Sequence, residues 1–302
     1  MYKPFILISF ISVFLLQHQS ELYAQGCSDA GICSIENIKP GNIDHQEGNQ
    51  LKVGIGYGNA DQGIAIISPY ITYTRTFNNF SLETRLLAIS QSGNETSSFG
   101  LSDLYLVGNY RLAQNLQATA GFKIPLSNAN KKLNGLPLPM DYQSSLGTVD
   151  LLLGAQYTVS GFMFAFAYQQ PLSQNSNTFL VDDYPSDSDF NKFQSTNNYV
   201  RKGDVLLRVS RSIPFGEKVT ITPSLLPIYH LGNDRYTDLF SEEQEIIGSE
   251  GLTLNVNLYA DFAVGSKSNI QLNFGSPLIV RESRPDGLTR SFVLNLEYQI
   301  RF

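Results

Sequence analysis

Most of the chain beyond residue 50 alternates apolar and polar residues with a period of two. In the segment 252–264 every even-numbered residue is Leu, Val, Ala or Phe, whereas the odd-numbered residues from 253 to 261 are Thr, Asn, Tyr or Asp. Successive side chains of a β-strand point to opposite faces, so such a segment has one apolar and one polar face. The chain is therefore expected to form a sheet with two unlike sides.

Eleven further segments repeat this alternation: 51–57, 70–77, 80–88, 103–111, 115–124, 148–159, 162–169, 204–210, 218–222, 270–280 and 288–302. Many span about nine residues or more, the length that a tilted strand needs to cross a bilayer. Strands of soluble sandwiches are usually shorter, about five or six residues. We therefore predict an all-β fold, a transmembrane antiparallel β-barrel of about twelve strands that occupies residues 50–302.

The connections between these segments support the same fold. Short ones at 78–79, 113–114, 160–161, 214–217 and 265–268 alternate with longer polar ones at 58–69, 91–100, 126–147, 171–199, 230–250 and 281–287. Outer-membrane barrels have short periplasmic turns and long extracellular loops, whereas a soluble up-and-down barrel does not need this strict alternation.

Residues 1–24 have the pattern of a secretory signal peptide. Lys3 gives a positive start, 5–16 is apolar, and Ala24 precedes the expected cleavage site. Residues 25–49 then form an extension with Cys27 and Cys33, for which we expect a small disulfide loop in an oxidising compartment. A metal site or a lipid anchor at Cys27 is the alternative. The extension could sit in the barrel as a plug or hang in the periplasm.

Composition and aromatic placement bear on the partners. The formal net charge of −6 argues against nucleic acid, whose phosphates select basic surfaces. Aromatic residues recur near strand ends, where barrels place their girdles at the surface of the outer-membrane lipids. They are Tyr57, Phe77, Phe80, Tyr110, Tyr157, Phe162, Tyr168, Tyr298 and Phe302.

The polar faces of the predicted strands carry charges of both signs, which we expect to line the barrel lumen. They are Glu83, Arg85, Asp103, Arg111, Lys123, Asp150, Asp204, Arg208, Lys218, Asp261 and Glu297, with Lys52 and Arg301 beside them. Such residues either line a pore that selects a small-molecule solute or fill the lumen with compensating ion pairs. Because both signs occur, the sequence predicts no preference for anions or cations.

The sequence gives little support for catalysis, a metal or a cofactor. After signal-peptide removal only His45 and His230 remain, and a nucleophile and its base must lie within hydrogen-bond reach. His230 is expected at the base of an outer loop. The acidic stretch 182–189 could bind calcium but lacks the pattern of an EF-hand loop, and a solvated loop is the alternative. No helix follows the glycines at 54–58, so they do not predict a phosphate-binding loop and instead fit close packing at the lumen wall.

Two resemblances extend this interpretation. The last segment, ending at Tyr298, Ile300 and Phe302, is similar to the final strand of bacterial outer-membrane barrels, which implies that these residues form the signal read by the barrel-assembly machinery. The stretches GLSDLYLVGNYRL, ATAGFKIPLSNAN, SSLGTVDLLLGAQYTV and FAFAYQQPL, between residues 100 and 172, resemble barrels named for the meta-pathway of phenol degradation. These are distant relatives of the long-chain fatty-acid channels.

The second resemblance implies passive uptake of small hydrophobic or aromatic molecules. A non-conducting barrel whose external loops bind partners is the competing hypothesis.

Overall fold

A computed structural model describes residues 35, 38–40, 47–93, 96–288 and 290–302. The predicted signal peptide at 1–24 and the predicted Cys27–Cys33 disulfide lie outside these residues. Twelve strands build one sheet: β1 (Gly48–Asn59), β2 (Ala65–Phe77), β3 (Phe80–Ser92), β4 (Ser97–Ala113), β5 (Leu116–Pro125), β6 (Asp150–Val159), β7 (Phe162–Pro171), β8 (Asp204–Arg211, continued by Ile213–Phe215), β9 (Val219–His230), β10 (Gly251–Ala263), β11 (Ser268–Ile279) and β12 (Val293–Arg301).

The sheet closes on itself, which confirms the predicted barrel. Neighbours in sequence pair antiparallel all the way round, and β1 pairs with β12 from Gln50 opposite Arg301 to Gly58 opposite Val293. Because every strand has two partners, no long edge of unpaired backbone groups remains. In a bilayer, which offers no water to such groups, closure is what permits a sheet to span.

The two faces of the barrel differ as the alternation predicted. On β7 the side chains of Phe162, Phe164 and Phe166 point outward and are exposed, whereas Ala165 and Ala167 point inward and are buried. Aromatic residues are also exposed on the outer face beside the short turns, as Phe77 and Phe80 show. An apolar outer face with aromatic residues near the strand ends is the surface that outer-membrane lipids require.

Short and longer connections alternate round the barrel, as predicted. Turns at 78–79, 114–115, 160–161, 216–218 and 264–267 mark what we call the turn end, and connections at 60–64, 93–96, 126–149, 172–203, 231–250 and 280–292 mark the loop end. The loops predicted at 58–69 and 91–100 are shorter than expected, because β1, β2, β3 and β4 extend into the polar residues that bound them. The described residues of the loops form four 3₁₀ turns and two short hairpins: Asp61–Gly63, Met140–Tyr142, Val181–Asp183, Asp189–Lys192, Lys132–Leu133 with Leu136–Pro137, and Asp234–Thr237 with Glu243–Ile246.

Two further strands differ markedly from their predicted bounds. The ninth, expected only over 218–222, continues as β9 to His230 in spite of Pro223 and Pro227. The twelfth was predicted from residue 288 but begins at Val293. The assignment of residues 288–292 to this strand was wrong. It would have placed Arg290 on the apolar outer face, where burying a guanidinium in lipid costs free energy. Arg290 is instead buried and donates a hydrogen bond to the Gly287 carbonyl.

The long loops pack over the loop end of the lumen. Leu138 and Tyr142 from 126–149 meet Phe179 and Phe190 from 172–203 in a buried cluster that also contacts Ile64 of the first loop. Leu288 packs against a second small cluster. The loops are thus an ordered cap with its own apolar core.

No helix among the described residues is long and apolar enough to cross a membrane.

Candidate solute pathway in the barrel lumen

The first cavity of the lumen lies in its loop-end half, beneath the cap. Its volume is about 140 Å³. Its polar lining includes Tyr70, Arg85 and Asn295, and its apolar lining includes Leu87 and Leu146. The cavity therefore offers both hydrogen-bonding and apolar surface to a small molecule.

Glu297 of β12 organises the floor of this cavity. Its Oε2 atom accepts a hydrogen bond from the Tyr70 hydroxyl at 2.8 Å and lies 3.1 Å from the Lys39 ammonium. Lys52 approaches the other carboxylate oxygen at 3.5 Å, and the Arg85 guanidinium lies 3.9 Å from the centre of the Tyr70 ring. A buried carboxylate is tolerable when several cationic and hydrogen-bonding groups surround it, as they do here.

A second cavity opens at the turn end of the lumen. Its volume is about 400 Å³, and its lining includes Lys52, Asp261 and Arg301. Lys39 lines both cavities. The two spaces thus follow each other along the barrel, and Lys39 lies between them.

The residues just before Lys39 pack inside the barrel. Ile35 and Ile38 are fully buried and belong to one cluster with inward-facing apolar side chains such as Val107, Leu152 and Leu206. The described part of the N-terminal extension therefore lies in the lumen, between strands from opposite parts of the sequence.

A third group of contacts ties the loop 126–149 to the wall. Lys123 lies 2.8 Å from Asp150 and donates to the Thr148 hydroxyl at 3.0 Å. Asp103 accepts a hydrogen bond from the Ser145 hydroxyl at 2.6 Å. These groups are buried, so the loop is held by charged interactions that water does not screen well.

His230 lies at the centre of a buried charged network at the loop end. Its Nδ1 atom is 2.7 Å from Asp204 Oδ1 and its Nε2 atom is 2.8 Å from Asp234 Oδ1. Asp234 also accepts from the Tyr199 hydroxyl at 2.6 Å, and Asp204 is paired with Arg201 at 2.6 Å. Because carboxylates occupy both ring nitrogens, neither nitrogen is placed to activate a hydroxyl nucleophile.

Asp286 extends this network to the loop 280–292. It lies 3.0 Å from Arg281 and 3.8 Å from Arg201. Burial raises the pKa of the Asp286 carboxyl, but the guanidinium groups of Arg281 and Arg201 outweigh that effect and hold the pKa below its ordinary value. The network therefore joins three loops and the ends of two strands through ionised groups.

The structure places the eleven predicted lumen residues in different surroundings. Arg85, Asp103 and Lys123 line the first cavity, and Lys218 and Asp261 line the second. Five others are buried and line neither cavity: Glu83, Asp150, Asp204, Arg208 and Glu297. Arg111 lies beside a turn and donates a hydrogen bond to the Asn79 side chain.

Sequence reasoning missed several residues that build these sites. Tyr70 and Tyr259 had a signal, because both fall on the polar register of their strands. Lys39, Arg201 and Asp286 had none, since they lie outside the alternating segments. No three His, Cys, Asp or Glu side chains in the described parts of the chain are grouped so that they could hold a metal ion.

No protein-family model and no curated protein matches this chain. Solved structures with a similar arrangement include the translocator domain of the autotransporter NalP from Neisseria meningitidis. The match has 11% sequence identity, covers 86% of this chain and 90% of that domain, and has a TM-score of 0.46. The toluene transporter TbuX of Ralstonia pickettii has 10% identity over 85% of this chain and 90% of its own, with a TM-score of 0.44. The monoaromatic hydrocarbon channel CymD has 11% identity over 93% and 98%, with a TM-score of 0.45.

The chain is thus similar to outer-membrane barrels, hydrocarbon channels among them. At these identities and TM-scores the likeness carries no functional conclusion. The membrane assignment depends instead on the closed pairing of twelve strands and the apolar outer face. These are the properties of a barrel of the Gram-negative outer membrane.

Proposed function

We propose that this protein is a passive outer-membrane channel for small molecules with hydrophobic or aromatic character. The observation that carries the proposal is the pair of cavities that follow each other along the lumen, with Lys39 lining both. A barrel whose interior served only as scaffold would be expected to fill this space with ion pairs and side chains.

The lining of the first cavity supports the class of solute. Its apolar part comes from Ile66, Leu87 and Ile89 on neighbouring strands, together with Leu146 and Leu288 from the loops. Binding sites for small molecules are mostly apolar with a few placed polar groups, and Tyr70 and Asn295 supply such groups here. The resemblance in sequence to the phenol meta-pathway barrels implies the same class.

The N-terminal extension acts in this proposal as a plug that narrows the channel. Ile35 and Ile38 occupy the lumen between the strands, and Lys39 bridges the two cavities. The ion pair of Lys39 with Glu297 attaches the plug to β12. Passage then requires either movement of the plug or a path beside it.

A second candidate function is a non-conducting barrel that binds partners through its loops. The observation in its favour is the ordered cap, in which 126–149 and 172–203 bury aromatic side chains against each other over the loop end. The tip of the loop 231–250 projects from this cap, with Phe240 84% exposed.

Planar-bilayer recording of the purified, folded protein separates the two candidates. Folding is checked first by the shift in electrophoretic mobility on heating that intact barrels show. We expect stepwise single-channel currents from preparations that pass this check. A folded barrel that gives no current at any voltage, in several lipid compositions, would exclude the channel and leave the loop-binding alternative.

A further inference from the structure

The two cavities share an electrostatic property that the sequence does not predict: their lining is rich in cations. We propose that the pathway is selective for small organic anions that carry a compact apolar group, and that Lys39 and Arg85 set this preference. The inference rests on the proposed channel function and names the solute class within it.

The first cavity presents four cationic side chains and one carboxylate among the described residues. The cations are Lys39, Arg85, Lys123 and Arg290, and the carboxylate is Asp103. Arg85 and Lys123 come from the strands β3 and β5, Arg290 from the loop 280–292 and Lys39 from the N-terminal extension, so the cations do not form a single patch. A solute in this cavity meets ammonium and guanidinium donors on several sides.

The second cavity has the same bias. Among its described lining residues, Lys52, Lys218, Lys267 and Arg301 join Lys39, whereas the carboxylates are those of Glu217 and Asp261. This is the opposite of the formal charge of the whole chain, which is −6. The excess of cations along the pathway is therefore a property of its lining and does not follow from the composition.

The carboxylates that balance these cations stand behind them. Glu297 holds Lys39 and Lys52, and Asp150 holds Lys123, yet neither carboxylate lines a cavity. Glu83, two residues from Arg85 on the inner face of β3, is also buried and lines neither space. Coulomb energy falls with distance, and water screens the more distant charge further, so a solute in contact with the wall interacts more strongly with the cations.

Lys39 is the residue at which this preference matters most, because it lines both cavities. Arg85 lies close to it on the floor of the first cavity, within electrostatic reach of the same Glu297. Leu87 and Ile89 follow Arg85 along β3 toward the loop end, and Leu146 adds to their apolar surface. This arrangement accepts a molecule with a carboxylate at one end and a small ring or alkyl group at the other.

The inference is tested in planar bilayers that contain the whole protein without its signal peptide. Two salts are compared: in one the anion carries an aromatic ring, and in the other the cation carries it. Reversal potentials are measured under a gradient of potassium benzoate and, separately, of benzylammonium chloride. We expect benzoate to be more permeant than potassium, and chloride to be more permeant than benzylammonium. Gluconate, an anion without an apolar group, should be less permeant than benzoate.

The Lys39→Gln variant tests the residue. Removing a unit charge at about 4 Å changes the energy by about 1 kcal/mol in water, so the anion-to-cation permeability ratio should fall about fivefold. Lys192→Gln is the matched control, because Lys192 is exposed in the loop 172–203 and pairs with Asp189. Arg85→Gln is the second variant, in case Lys39→Gln does not give a folded barrel.

The outcomes are distinct. A protein that conducts but prefers potassium and benzylammonium contradicts the anion inference and leaves the channel standing. Gluconate as permeant as benzoate contradicts the apolar part. An unchanged ratio in both Lys39→Gln and Arg85→Gln removes these residues from the mechanism. Absence of any current from folded protein overturns the proposed channel and this inference together.

Discussion

Gly54 shows how a single missing side chain shapes the lumen. A Cβ atom at this position would lie 2.3 Å from Cζ of Tyr70. The Tyr70 ring cannot easily move away, because its hydroxyl is bonded to Glu297 and Arg85 lies over its face. The glycine thus permits the close packing at the lumen wall that its place in the strand suggested.

Gly54→Ala should destabilise the barrel by about 1–3 kcal/mol, the usual cost of forcing an extra group into a packed interior. The measurement is the urea midpoint of unfolding in detergent or lipid. Gly265→Ala is the matched control, since nothing lies within 4 Å of a Cβ atom there. Equal midpoints for the two variants would show that Tyr70 adjusts without cost.

Asp141 in the loop 126–149 gives the protein a pH-dependent stability. Burial raises the pKa of the Asp141 carboxyl to about 7, and the nearby Asp61 carboxylate adds to the effect. In the unfolded chain the pKa of Asp is about 3.9. Between about pH 4 and pH 7 the folded protein therefore retains a proton that the unfolded chain has released, so its stability falls as the pH rises through this window.

Asp141→Asn should reduce this slope, because the amide does not titrate. The free energy of unfolding is compared at about pH 5, where the folded protein keeps the Asp141 proton, and at about pH 8, where it has lost it. We expect the variant to gain stability over the wild type at the higher pH. Asp182→Asn, at an exposed loop position, is the control, and parallel pH profiles for the wild type and Asp141→Asn would contradict the assignment.

At the scale of the element, β12 was predicted in its faces and misplaced in its start. The alternation correctly gives Leu294, Leu296 and Tyr298 to the outer face and Glu297 to the interior. It does not show that the strand begins at Val293, because Leu288 and Arg290 continue the period while their side chains turn into the cap. Periodicity reports which residues could share a face, whereas tertiary contacts decide where pairing ends.

Tyr298→Asp should lower the amount of assembled barrel in the outer membrane without altering its ion selectivity. Tyr298 is exposed on the outer face near the turn end, where a carboxylate would meet the lipid interface and weaken the proposed assembly signal. The readout is the quantity of heat-modifiable protein in outer-membrane fractions. Gln299→Asp, one residue along and facing the second cavity, is the control that should assemble normally.

At the scale of the whole molecule, the strands could be predicted far better than the pathway inside them. The local alternation of apolar and polar residues predicts each strand, so the number of strands and the side chains on each face of the sheet follow from the sequence. The cavities do not, because they are bounded by residues distant in sequence, such as Lys39 and Tyr259. The His230 network likewise depends on Arg201 and Asp286, which belong to loops with no local pattern.

The proposed plug can be tested on the whole barrel. Ile35→Ala combined with Ile38→Ala should increase single-channel conductance, because it removes apolar volume from the centre of the lumen. Ile55→Ala combined with Ile71→Ala is the control, since these side chains face outward. Conductance that rises equally in both double variants, or in neither, would argue against a plug at this position.

The seam between β1 and β12 has a consequence for the time course of folding. Leu51 of β1 pairs with Ile300 of β12 across this seam. The two strands that meet here are therefore the first and the last strand of the barrel to be synthesised. The entropy lost in joining such distant residues grows only slowly with chain length, but contacts this far apart form late. Until the last strand arrives, β1 keeps one row of backbone groups without a partner and can pair with the wrong chain. Unfolded chains in transit therefore need shielding until closure, and closure should be the slow step of their assembly.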